Sequence, residues 1–356
     1  MKTTTSLLCR LAAVAALVFP AATLPSFAQT TATTDPVGFV TIAVVGNGGS
    51  GQPAYTFTSI GMTNAVAYQA TTTSAGGATS IVDGSSTWAD NAYNGAAGVI
   101  THYVEIVSGL GAGTTYDITG TTAATHTLTL LQPLLSTIVS GASYKVRPHW
   151  TLATVFGTGT AVTLGKGAST TADQVQLLRG SSLETYFYQP SGFGGEGWRK
   201  IGAAATDAGG TVIYPDDGII IARLQSAATS IVVQGAVKTG QTSIPVLAGY
   251  TLLGNVYASG MTLTSSGLYT GDPNTGVAVG SSTTADQIQF WNPGTLGLDT
   301  YFYQPSGFGG AGWRKIGAAA TDAGSTPIPV GTAILINRIG GAAFNWIAPQ
   351  HPTSFN

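Results

Sequence analysis

Residues Thr185–Gly209 read TYFYQPSGFGGEGWRKIGAAATDAG, and Thr300–Gly324 read TYFYQPSGFGGAGWRKIGAAATDAG. The second stretch lies 115 residues after the first and differs at one position, Ala311 in place of Glu196. Tyr-Phe-Tyr, a Gly-rich break and then Trp-Arg-Lys-Ile read as strand, tight loop and strand, because aromatic and β-branched residues suit a pleated sheet and glycine suits its turns. The likeness extends outward on both sides. Ser169–Gln176 (STTADQVQ) is answered by Ser282–Gln289 (STTADQIQ), and Gly218–Arg223 (GIIIAR) by Ala333–Arg338 (AILINR). Each copy therefore offers four strands. The Ile-rich strand is apolar on both faces, so both sides of its sheet must be covered. These features predict an all-β protein built of tandem β-sandwich or small β-barrel units with an internal duplication.

Composition agrees with that class. The chain has 356 residues, 44% of them hydrophobic and 49 of them glycine, but only 8% charged. An ordinary globular chain is about 25% charged. So bare a surface is poorly protected against association and favours packing against copies of the same chain. The formal charge of −2 comes with no basic run, which argues against nucleic acid as a partner.

The chain opens with Lys2 and Arg10, an apolar run from Leu11 to Phe19, Pro20, and the small-x-small triplet Ser26-Phe27-Ala28. This is the three-part pattern of a secretory signal peptide cleaved after Ala28, and it is too short to span a bilayer. Cys9, the chain's one cysteine, would leave with it. No later apolar run is long enough for a helical membrane span. The expected destination is outside the cell or at its surface.

The remainder divides into an N-terminal β domain (29–150), a first copy of the repeated unit (151–238) and a second copy (239–356). Within the first of these, residues 35–45 (DPVGFVTIAVV) form a strong strand. It is either an ordinary first strand or one exchanged with a neighbouring subunit by strand addition. Gly61-Met62-Thr63 and Gly260-Met261-Thr262 form a faint further echo between this region and the repeats.

Between residues 103 and 147, strand, SGLGAG turn and three further strands follow closely. This cassette resembles small β-barrel modules of phage tail and virion proteins, which implies a building module and no catalytic residues. The Asp35–Val40 start, the Tyr103–Gly120 stretch, Arg147–Thr151 and the repeated Gly-Trp-Arg and Thr-Asp-Ala-Gly elements together resemble an uncharacterised family of secreted, Gly/Thr-rich bacterial β-proteins. That resemblance implies export and a β-rich build.

Candidate chemistry is sparse. Gly192–Gly197 and Gly307–Gly312 fit G-x-G-x-x-G, but a dinucleotide site needs a helix after the glycines, and Trp198-Arg199-Lys200 reads as a strand. No cofactor is expected. The four histidines lack metal-ligand spacing, and Tyr214–Gly218 and Gly271–Asn274 read as turns rather than calcium loops. With no nucleophile elbow and no thiol downstream of the leader, no enzyme activity is expected. The repeated charges Asp173/Asp286, Arg199/Arg314, Lys200/Lys315, Asp207/Asp322 and Arg223/Arg338 read as internal pairs and turn supports. Two functional readings remain. The first is a structural protein that self-associates through β-edges and apolar faces. The alternative is a carbohydrate-binding or adhesive module in which Tyr186, Tyr188, Phe193 and Trp198, with Tyr301, Tyr303, Phe308 and Trp313, stack on polysaccharide. Exposure of those rings would favour the alternative, and burial would count against it.

Overall fold

The repeated strands pair as their alternation requires. In the computed structural model, which describes residues 35–349 except 97, 137 and 139, the chain is almost wholly β. The expected leader, residues 1–28 with its cleavage site, and the tail beyond Pro349, lie outside the described residues. In chain order the strands are β1 (Val37–Val44), β2 (Ala54–Thr58), β3 (Tyr68–Thr71), β4 (Ser80–Val82), β5 (His102–Ile106), β6 (Thr115–Thr122), β7 (Thr127–Leu130) and β8 (Ser143–Pro148). There follow β9 (Trp150–Thr151), the short helix α1 (Leu152–Phe156), β10 (Gln174–Arg179), β11 (Ser182–Gln189), β12 (Gly197–Lys200), β13 (Val212–Ile213), β14 (Ile219–Arg223) and β15 (Thr229–Ala236). The last group is β16 (Thr242–Val246), β17 (Gly249–Gly254), β18 (Met261–Thr262), β19 (Gln287–Asn292), β20 (Gly297–Gln304), β21 (Gly312–Lys315), β22 (Pro327–Ile328), β23 (Ala333–Arg338) and β24 (Phe344–Ala348).

The repeat is a two-layer sandwich. In the second copy, a five-stranded antiparallel sheet runs in the order β17-β23-β19-β20-β21, and a β16-β24 ribbon covers it. Ile288, Ile334 and Ile336 from the sheet pack against Ile244, Val246, Phe344 and Trp346 from the ribbon. The first copy has the same plan, with the sheet β2-β14-β10-β11-β12 under a β1-β15 ribbon. Along β1, Val40, Ile42 and Val44 face that core, while Val37 and Phe39 face out. This alternation follows from the period-2 placement of side chains along a strand.

Strand pairing cuts the chain differently from the sequence boundaries at 150 and 238. β1 and β2 do not belong to an N-terminal domain. They complete the first repeat, occupying the places that β16 and β17 hold in the second. β1 pairs along its whole length with β15 of its own chain, from Val37 opposite Ala236 to Val44 opposite Thr229.

The first repeat is therefore interrupted. Between Thr63 and Trp150 a separate six-stranded sheet, β3-β8-β5-β6-β7-β4, is spliced in. It curls until a single bridge, Ser74 to Val82, joins its two ends. Its own core is built on Ile81, Val104, Ile118, Leu128 and Val146. The splice point is visible in matched hydrogen bonds. Leu152 and Ala153 donate to Thr211 and Gly209 (3.1 and 2.9 Å), and Leu263 and Thr264 donate to Thr326 and Gly324 (3.0 and 2.9 Å). Trp150, opposite Ile213, holds the place that Met261 holds opposite Ile328. Where the second repeat runs on unbroken, the first departs into the barrel. The two crossing chains are pinned by Trp150 Nε1 donating to the Met62 carbonyl (3.0 Å) and Asn64 Nδ2 donating to the Pro148 carbonyl (3.1 Å).

The two repeats meet through reciprocal contacts. Ser59 N donates to Gly331 O (2.9 Å), and Gly254 N donates to Asp216 O (2.8 Å). Bridges join Thr58 to Thr332 and Asp217 to Leu253. Each partner in one contact is the repeat equivalent of a partner in the other. This is the pattern of an isologous, two-fold interface, here held within one chain.

Candidate interaction surface

The loop between β11 and β12 is built from the repeated glycines. Tyr188 sits opposite Trp198 and Gln189 opposite Gly197, so Gly192–Gly197 closes a hairpin rather than opening a helix. Gly194 and Gly195 adopt φ of 85° and 82°, and Gly309 and Gly310 adopt 85° and 80° in the second copy. A Cβ at Gly194 would stand 2.7 Å from the Ala204 carbonyl oxygen, so no larger residue fits.

A buried arginine braces each loop from beneath. The Arg199 guanidinium donates to the carbonyls of Gly194 and Gly195, and Arg314 donates to those of Gly309 and Gly310. Gln189 Nε2 adds bonds to Phe193 O and Gly195 O (2.8 and 2.9 Å), and Gln304 repeats them at 3.0 Å each. Asp207 and Asp322 meet the arginines at 3.5 and 3.2 Å. Phe193 and Phe308 sit at the tips of these clamped loops, 78% and 79% exposed. A clamped loop holds its phenylalanine in one place without further loss of backbone freedom on binding.

The other rings of the predicted set do not form a stacking platform. Tyr186, Tyr188, Trp198, Tyr301 and Trp313 are buried, and Tyr303 is partly buried. The cause is the sandwich itself, because alternate residues of β11 and β20 must face its cores and large aromatics fill them. Trp198 packs edge-on to Tyr188 (5.6 Å between ring centres) and bonds the Gly157 carbonyl at 2.9 Å. The one substitution between the copies falls on this packing. Glu196 accepts from the Tyr188 hydroxyl at 3.1 Å. Ala311 cannot do so, and Tyr303 instead stacks on Tyr269 with ring centres 3.5 Å apart.

The repeated charges are internal supports. Asp173 pairs with Arg223 at 2.5 Å and accepts the amides of Gly165 and Leu224. Asp286 pairs with Arg338 at 2.6 Å and accepts those of Ala278 and Ile339. Of the eleven lysines and arginines among the described residues (thirteen in the chain, less Lys2 and Arg10), all but Lys166 sit in an ion pair with another described residue. Little free positive charge is left for the surface.

Two cavities lie away from the loops, where separate parts of the chain meet. The larger, about 680 Å³, is an apolar groove between the two five-stranded sheets, lined by Phe57, Leu178, Tyr250, Leu252 and the hairpin residues Gly180 and Ser181. The second, about 360 Å³, lies where the barrel meets both repeats and is lined by Asp117, His149, Tyr214, Asp216 and Asp217. Its groups are committed to one another. Asp117 accepts from Tyr214 (3.2 Å) and meets His149 Nε2 at 2.9 Å, and Arg179 grips both oxygens of Asp217 at 2.5 and 2.7 Å. Burial, then the like charge of Asp217, pushes Asp216 up to about 6. Among the described residues, His149 Nδ1 is buried without a hydrogen-bond partner. Among the described residues, no three His, Asp or Glu side chains converge to hold a metal ion. The sequence pointed to the loop phenylalanines but not to either cavity, since both depend on contacts between distant segments. Comparison with known proteins adds no likeness, for no family model, curated protein or solved structure matches the chain.

Proposed function

We propose that the chain is an exported structural protein that associates with copies of itself through apolar surface. The observation that carries this reading is the pair of phenylalanines, Phe193 and Phe308, held in the open by clamped loops on a molecule whose cations are almost all paired internally. Exposed apolar side chains fixed in position, on a surface with little charge to keep copies apart, favour contact between them. Val37 and Phe39 on the outer face of β1 extend the uncovered apolar surface. Export is read from the leader pattern of residues 1–28. Burial of Tyr186, Tyr188 and Trp198 counts against the sugar-stacking alternative.

The test is light scattering on the chain from Gln29 to Asn356 beside its Phe193→Ser/Phe308→Ser variant, over a range of concentrations. The reading expects larger species from the wild type and a shift of the variant toward monomer. Equal behaviour of the two would remove the phenylalanines from the account.

A further inference from the structure

The two-fold relation between the repeats gives the apolar groove a filled counterpart. On one side of the interface Trp291, from the second repeat, lies flat on Phe57 of the first (ring centres 5.1 Å, planes 11° apart) and edge-on to Tyr55 at 5.9 Å. The strand registers fix the equivalents. Tyr55 and Phe57 lie opposite Ala222 and Ile220, just as Tyr250 and Leu252 lie opposite Asn337 and Leu335. Leu178 answers to Trp291, two residues beyond the matched Gln176 and Gln289. On the other side, then, Tyr250 and Leu252 face a leucine where their counterparts face an indole. The groove occupies the space that the missing ring would fill.

We propose that this groove receives the tip phenylalanine of a Phe193 or Phe308 loop from a second copy of the chain. The inference rests on the self-association reading and assigns it a contact. The internal counterpart shows the chemistry the position accepts, which is a flat aromatic ring between apolar walls with a tyrosine at its edge. The clamped loops supply such a ring. A molecule's own Phe193 cannot reach its own groove. The groove is lined by the β10–β11 hairpin at Gly180 and Ser181, and Phe193 projects beyond the opposite end of β11. That eight-residue strand separates them by roughly 25 Å. A loop of one copy in the groove of the next is a head-to-tail contact, which builds open chains unless its rotation closes a ring.

The test uses Leu178→Trp, which fills the groove from within as Trp291 fills its counterpart. Sedimentation equilibrium on the chain from Gln29 to Asn356 should show wild-type association. Its midpoint should rise about tenfold or more in Leu178→Trp and in Phe193→Ala/Phe308→Ala, as loss of one buried ring predicts. The triple variant should be no weaker than the weaker of the two, because both changes delete the same contact. A wild type that stays monomeric removes the self-association reading and this contact with it. A wild type that associates beside a Leu178→Trp protein that associates equally well overturns the groove alone. Should Leu178→Trp fail to fold, disulfide trapping decides. The chain from Gln29 has no cysteine, so a Ser181→Cys preparation mixed with a Ser191→Cys/Ser306→Cys preparation should yield the mixed dimer on oxidation, and failure to form it above the level of random collision refutes the contact.

Discussion

Trp291 stacks on Phe57 across the boundary between two copies of one sandwich, whereas the equivalent pair, Leu178 and Leu252, lines an open groove. The two halves of the interface share a backbone plan and diverge in what fills it. Replacing Trp291 with leucine should make them alike. Loss of the ring stack predicts a cost of about 1–2 kcal/mol, read as a lower urea midpoint with an unchanged slope. A variant as stable as wild type would mean that the stack contributes nothing to the joining of the repeats.

Arg199 and Arg314 set the shape of the phenylalanine loops. Arg199→Met would leave the Gly194 carbonyl without its side-chain donor and the Gly195 carbonyl with Gln189 alone, at a cost of about 1–3 kcal/mol. Hydrogen exchange of the 191–197 amides should accelerate in that variant while 306–312 stay as in wild type. Acceleration of both loops together would show that they are not independently clamped.

The barrel between Thr63 and Trp150 has its own core and closely spaced ends, so it should fold as an isolated fragment, 64–149. A cooperative thermal transition and dispersed amide resonances are the expected results. Its Glu105 pairs with Lys238 of the repeat linker as well as with Arg147. Burial opposes the charge of Glu105, but Lys238 and Arg147 outweigh it and hold the carboxyl below its usual range. In the whole chain this contribution is present above about pH 4.5 and is lost as acid protonates the group. The isolated barrel, lacking Lys238, should therefore lose less stability on acidification. Identical acid profiles would refute the role of this pair.

Asp216 works in the opposite direction. Its folded value of about 6 lies above the ordinary 3.8, so the folded state holds a proton that the unfolded state releases between these limits. Stability from this group is full below the ordinary value and falls as pH rises through about 6. Asp216→Asn should accordingly raise stability at pH 8 by on the order of 1 kcal/mol and change it little at pH 4. Equal effects at both values would place the cause elsewhere than in ionisation.

The all-β class, the duplication and most of the strands were legible in the sequence, because near-identity at a fixed offset and alternating apolar residues are local signals. So was the structural role of the repeated charges, since charges this scarce and this regularly repeated have few other uses, but which partner each takes, Arg223 for Asp173 and Asp207 for Arg199, came only from the fold. The course of the first repeat was not legible. β1 shares almost nothing with β16, and β2 shares only Tyr55-Thr56 with Tyr250-Thr251 of β17, so their pairing with β15 and β14, about 160–200 residues away, is what reveals the equivalence. The eight repeated aromatics were visible as a set, but which of them pointed inward depended on register. Phe193 and Phe308 stayed outside because they sit on loops rather than on a strand face. The groove had no signal of its own, since it arises from Leu178 standing where a two-fold relation puts Trp291.

Salt dependence of association tests the central claim most directly. Contacts made by phenylalanines and apolar strand faces carry no charge to screen, and all the described cations but Lys166 are already paired within the chain. Sedimentation of the chain from Gln29 to Asn356 should therefore show an association midpoint below about 100 µM. Raising NaCl from about 0.05 M to about 0.5 M should leave that midpoint unchanged or lower. A protein that stays monomeric throughout, or whose assemblies dissolve as salt is added, would contradict the account.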